Sequence, residues 1–170
     1  MDTTVRLHSL SCREAKAWMV AALFVAGNIA LPQLFHLMPQ GGMVWLPIYF
    51  FTLVGAYKYG WQVGLLTAVA SPLVNSLAFS MPAAALLPII ILKSSLLALA
   101  AGYAAHRFNR VTLPLLAAVV IFYQAIGTLG EWLITGSLDA ALQDIRIGYP
   151  GMLLQVVGGY LFIRYIIRKN

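Results

Sequence analysis

Charge is what this chain has least of. Of its 170 residues only 9% are charged, while 61% are hydrophobic. Soluble domains carry about a quarter charged residues, and so few charges cannot cover a water-facing surface. A soluble fold is thereby excluded for most of the chain, and lipid becomes the solvent of most side chains. The length fits one domain. Acidic residues are scarcer still, with five Asp and Glu in all, which closes off most enzyme mechanisms. The chain has no Walker motif, nucleophile elbow, HExxH or Asp-rich phosphate–metal motif. A membrane enzyme would lack its catalytic constellation, and any coupling to ATP would have to come from a partner. The single cysteine, Cys12, excludes an intramolecular disulfide. His8, His36 and His106 fall in different loops without ligand spacing, so no metal or other cofactor is expected.

The net charge of +6 does not point to nucleic acid. The basic residues sit between apolar runs rather than along a stripe, as they do in membrane proteins oriented by their loops. Arg6, Arg13 and Lys16 precede the first apolar run as in a signal peptide. That run is long, ends in Leu31-Pro32 and lacks a small-x-small site in a polar setting, so it is expected to be retained.

What the chain does have is long apolar runs. A bilayer core takes about 20 apolar residues per helix, within a range of about 17–25. Six runs meet or approach that length: 17–35, 43–57, 61–79, 83–105, 112–134 and 150–167, after a polar segment 1–16. The second is short. Met38-Pro39-Gln40-Gly41-Gly42, Tyr57-Lys58-Tyr59-Gly60 and Ser80-Met81-Pro82 separate the first four runs with turn chemistry. Residues 106–111 form a basic connection, and 135–147 read as the longest loop. The expected fold class is all-α, a six-helix membrane bundle. With the N-terminus inside, Arg6, Arg13, Lys16, Lys58, Arg107, Arg110, Arg164, Arg168 and Lys169 are cytoplasmic, and only Arg146 is outside. That asymmetry predicts both termini inside.

Polar residues at bilayer depth are costly and each needs a reason. Counted at about 1.5 Å per residue, Asn28, Asn75, Glu131 and Gln155 fall in the outer half, with Gln124 two turns below Glu131 on the same face. A pocket open to the outside explains the set, and interhelical hydrogen bonding explains each member singly. Lys93 is too deep in the fourth run to snorkel easily. An ion pair with Glu131, an anionic group on a ligand and a proton relay are its three readings. Trp45 and Tyr49 open the second run, Trp132 lies near the outer end of the fifth and Tyr149 near the start of the sixth. They read as an interfacial aromatic belt or as a wall for a flat ligand. Ala22, Ala26 and Ala30 repeat every four residues. This small-xxx-small face serves packing within the monomer or docking to another membrane protein.

Several stretches carry a resemblance. Leu46-Pro47, then Gly55, Gly60 and Gly64, then Ser71-Pro72-Leu73-Val74-Asn75, then Met81-Pro82 and Leu87-Pro88, are similar to the substrate-binding S components of energy-coupling factor (ECF) vitamin transporters. The resemblance covers most of the chain through loose motifs. It implies a prokaryotic plasma-membrane protein that captures a vitamin or related micronutrient at the outer face. It implies partners too: a transmembrane coupling protein, docked on the face of Ala22, Ala26 and Ala30, and two ATPases. The candidate ligand contacts are Asn75, Lys93, Tyr123, Gln124, Glu131, Trp132, Gln155 and Trp45. Lys93 suggests a carboxylate or phosphate on the cargo, and Trp132, Tyr123 and Trp45 suggest a ring. The competing reading is a non-transporting membrane scaffold, similar to MreD-like cell-shape proteins of this size, which needs no pocket.

Overall fold

A computed structural model describes residues 9–35 and 37–166, except for the side chain of Ile166. Arg6, His8, His36, Arg168 and Lys169, and residue 167 at the end of the last apolar run, lie outside the described residues. All regular structure among the described residues is helical. In chain order the elements are α1 (Ala15–Phe35), α2 (Gly41–Trp45), α3 (Phe50–Tyr59), α4 (Trp61–Phe79), α5 (Leu87–Phe108), α6 (Leu113–Thr135), α7 (Leu138–Leu153) and α8 (Gly159–Leu161). A 3-10 turn, Pro47–Tyr49, leads into α3, and another, Ala84–Leu86, leads into α5. Two π turns, Leu154–Gly158 and Phe162–Ile166, flank α8.

Among the described residues, four stretches are long and apolar enough to cross a membrane: Ala15–Phe35, Trp61–Phe79, Ala84–Phe108 and Leu113–Thr135. Their outward faces carry large apolar side chains in the open, among them Met19, Leu23, Leu77, Ile121 and Leu133. The interior holds Asn28, Thr67, Ser71, Asn75, Lys93 and Gln155, each at most 1% exposed. The interior also packs an apolar core, Leu53, Val54, Val63, Leu97 and Leu116 among it, so the departure from the soluble pattern is an outside that is apolar too, as lipid demands. The chain is a membrane-embedded helical protein.

Two expectations need correction. The second apolar run, 43–57, is not one helix. Leu46 adopts left-handed backbone, φ 46° and ψ 45°, and the helix restarts through Pro47. A left-handed Leu costs about 1–2 kcal/mol, and Pro47 contributes no N–H to bridge the break. The stretch 135–147 is not a loop either. Gly136, at φ 68°, ends α6, and Ser137 caps the next helix by accepting the Ala140 N–H at 3.3 Å. Asp139 lies in that helix's first turn, where a negative charge favours the helix dipole. Helix therefore begins at Leu138, well before residue 150, and continues with π turns to Ile166.

The buried positions of this last helical stretch are Ala141, Gly148, Gly151, Gln155, Gly159 and Ile163. From Gly151 onward they repeat every fourth residue. A pure α-helix would rotate such a series by about 40° at each step. The wider π turns take that rotation back, so one narrow face stays on the bundle. Glycines permit the close approach: a Cβ on Gly148 would lie 2.8 Å from the Leu46 side chain.

The bundle has two unlike ends. At one, residues 9–14 meet the start of α4, Cys12 N–H donating to Gln62 Oε1 at 2.6 Å. There Tyr57 also donates to the Arg110 carbonyl at 2.5 Å. Arg13, Lys16, Lys58, Arg107 and Arg110 belong to this end. At the other, α2, the 3-10 turn that leads into α3, the α4–α5 connection, Glu131 of α6 and the first turns of α7 border a cavity.

Candidate functional site

Three helices bring together a lysine and two carboxylates in the interior. Lys93 of α5, fully buried, donates to Glu131 Oε2 of α6 at 2.5 Å and to Asp144 Oδ2 of α7 at 2.6 Å. Gly127, one turn before Glu131, leaves space for the lysine stem: a Cβ there would stand 2.7 Å from Lys93 Cγ. One positive and two negative formal charges meet, and the cluster keeps a surplus of one negative charge. A buried charge without a partner is strongly unfavourable, so the ammonium is held within the fold. Of the three, Glu131 and Asp144 reach the cavity wall.

A second network lies beside it, between α1, α3 and α4. Asn28 Nδ2 donates to Thr52 Oγ1 and Ser71 Oγ, both at 3.1 Å, and its Oδ1 accepts the Phe51 N–H at 3.1 Å. Pro32 sits four residues after Asn28 within α1. Proline has no N–H to give to the Asn28 carbonyl, and Asn75 Nδ2 supplies a donor at 2.9 Å instead. Asn75 Nδ2 also donates to the Ser71 carbonyl at 3.1 Å. Both partners are carbonyls, so they fix the amide orientation. Asn75 Oδ1 is left buried without a protein partner, in a side chain on the cavity wall.

The cavity has a volume of about 320 Å³, at the lower end of the range of about 300–1,000 Å³ typical of small-molecule sites. Pro32, Met43, Leu46, Ile48, Leu86 and Ile89 give it apolar sides, and Tyr49 gives it a ring. Tyr49 is 2% exposed and packs against Tyr123 with ring centroids 5.7 Å apart. Gln40 and Leu46, two of the left-handed non-glycine residues, also line it. Such backbone concentrates at ligand sites, where surrounding structure holds it in place.

The sequence candidates divide on this geometry. Asn75 and Glu131 line the cavity, and Lys93 stands behind the carboxylates. Tyr123 donates to Gln155 Oε1 at 2.9 Å, both side chains fully buried and off the cavity wall. Gln124 is buried, and neither of its amide atoms has a protein partner among the described residues. Trp45 stacks on Phe35 at 5.5 Å and Trp132 is 43% exposed, and neither lines the cavity. Ala22, Ala26 and Ala30 lie on the exposed face of α1, whereas Ala17 and Ala21 are buried. Asp144 was not among the candidates, because the polar stretch around it reads as a loop. The usable signal is the spacing of Ala141, Asp144, Gly148 and Gly151, which puts one small-residue face toward the bundle.

A larger cavity, about 600 Å³, opens at the basic end beside Tyr57, Trp61, Tyr103 and His106. The buried charged cluster and Asn75 belong to the first. The chain matches no family model, no curated protein and no solved structure.

Proposed function

We propose that the chain is the solute-binding membrane subunit of an importer, of the kind the S components of ECF transporters provide. The observation that carries this reading is the cavity at one end of the bundle. It is walled by apolar side chains and floored by buried polar groups that the fold leaves with hydrogen-bonding capacity. Four long spans, the shorter α3 and the last helical stretch together make up a six-span bundle with both termini inside. The basic end is then cytoplasmic and the cavity faces outward, where a solute is first met. Without an ATP-binding motif of its own, the chain delivers its cargo through a coupling protein and two ATPases. The exposed small-residue face of α1 supports docking of that coupling protein, because small side chains let helix backbones approach closely in lipid. The role is binding and translocation rather than chemistry.

The test is mild purification from the native membrane. Mass spectrometry should find a co-purifying small molecule, and the pull-down should contain ATPase subunits. Recovery of cell-wall proteins with neither would overturn the importer reading in favour of a scaffold.

A further inference from the structure

The charged groups on the cavity wall are both carboxylates, Glu131 and Asp144, while Gln40, Gln143 and Tyr49 add neutral side chains that can donate or accept. Glu131 and Asp144 present carboxylates whose combined charge exceeds that of Lys93 by one. Asn75 is 1% exposed, and its two donor contacts commit the amide nitrogen elsewhere, so its free atom is Oδ1. That oxygen is independent of the carboxylates, on a different helix and held by a different network. Among the described residues, no Lys, Arg or His lines the wall. An anion entering here would find neutral donors on Gln40, Gln143 and Tyr49 but would oppose two carboxylates and an amide oxygen, with the one nearby ammonium already engaged at 2.5 and 2.6 Å. A group that carries N–H donors and one positive charge would satisfy all three acceptors and cancel the surplus.

We infer that the cavity takes a small organic cation: a protonated amine, seated between Asn75 Oδ1 and the Glu131–Asp144 pair, on an apolar body covered by the cavity's aliphatic side chains and Tyr49. This rests on the solute-binding reading above and reverses the anionic ligand that Lys93 suggests in sequence. Lys93 becomes a positioning residue, which holds the two carboxylates together so that their net field toward the cavity is that of one charge rather than two. The cavity's volume limits the ligand to a compact molecule.

The experiment uses the full chain in nanodiscs of zwitterionic lipid, so that bilayer charge does not bias the result. Three probes of nearly equal shape are titrated calorimetrically: benzylamine as its ammonium, benzyl alcohol and benzoate. The ammonium is expected to bind at least tenfold more tightly than the alcohol, with benzoate weakest. In Asp144→Asn, which leaves a balanced Lys93–Glu131 pair, the ammonium's advantage over the alcohol should fall to threefold or less. Glu131→Gln, which leaves Lys93–Asp144, should do the same and guards against a folding defect in either variant. Equal binding of ammonium and alcohol, preference for benzoate, or an unchanged preference in both variants overturns the charge assignment while leaving the cavity a solute site. Absence of binding by all three overturns the solute-binding reading with it.

Discussion

Replacing Lys93 by methionine removes the one positive charge between two carboxylates while nearly conserving volume. The carboxylate oxygens lie 2.5 and 2.6 Å from Nζ. They are therefore at most about 5 Å apart, and at an effective dielectric of about 20 two negative charges at that separation repel by about 3 kcal/mol. Breaking a buried pair by removing one member costs about 3–5 kcal/mol in general, so the two routes agree on the scale. Asp144→Asn should behave differently, because one lysine and one glutamate remain and no charge is stranded. Its cost should stay within about 1 kcal/mol, the scale of one hydrogen bond. The triple variant Lys93→Met/Glu131→Gln/Asp144→Asn carries no charge at the site and should recover at least half of what Lys93→Met loses. Equilibrium unfolding in mixed micelles, followed by helical circular dichroism, ranks the three. Equal losses in Lys93→Met and Asp144→Asn would refute the surplus-carboxylate argument. A Lys93→Met loss below about 1 kcal/mol, the scale of a surface pair, would mean that the cluster does not form in the bilayer.

Three further outcomes are expected. Asn28→Ala strands the Phe51 N–H and removes a shared partner of Thr52 and Ser71, and should lower stability by at least about 2 kcal/mol in the same unfolding assay. Ala26→Trp, on the exposed face of α1, should leave unfolding unchanged and abolish recovery of the coupling protein in a pull-down. A membrane-impermeant maleimide should label the exposed Cys12 in inverted vesicles but not in intact cells. Asp139→Cys in a Cys12→Ser background should reverse that pattern, since Asp139 is exposed at the cavity end.

The four long spans were legible because their apolar length outweighs what competes with helix inside them, Pro32 in α1 and Pro72 in α4. In a run such as Leu113–Thr135 apolar side chains are interrupted by one acid, and Pro114 and Gly136 fall at its ends. The ion pair was half legible for the same reason. Lys93 and Glu131 are isolated charges in apolar runs, and isolated charges at depth seek each other. Asp144 was not legible, because Asp139, Gln143, Asp144 and Arg146 give their stretch the polarity of a loop. Only the inward face of that helix, small and seamless through Gly151, marks it as packed. Pro47 marks a boundary at Leu46, but the left-handed turn there was hidden, since leucine carries no signal for such backbone. That one residue turns the chain aside and lets Pro47, Ile48 and Tyr49 form cavity wall instead of mid-helix surface. The aromatic candidates therefore shifted from Trp45 to Tyr49, four positions along.

The shortness of α3 has a further consequence. With its leading 3-10 turn it rises about 21 Å, whereas the hydrocarbon layer is about 30 Å thick. Alone, α3 with that turn covers about two-thirds of that thickness, and at the cavity end α2 and α7 pack against each other. The cavity lies at this end, beside Tyr49. On the importer reading proposed above, a molecule seated there starts its crossing about a third of the way into the hydrocarbon layer rather than at its surface.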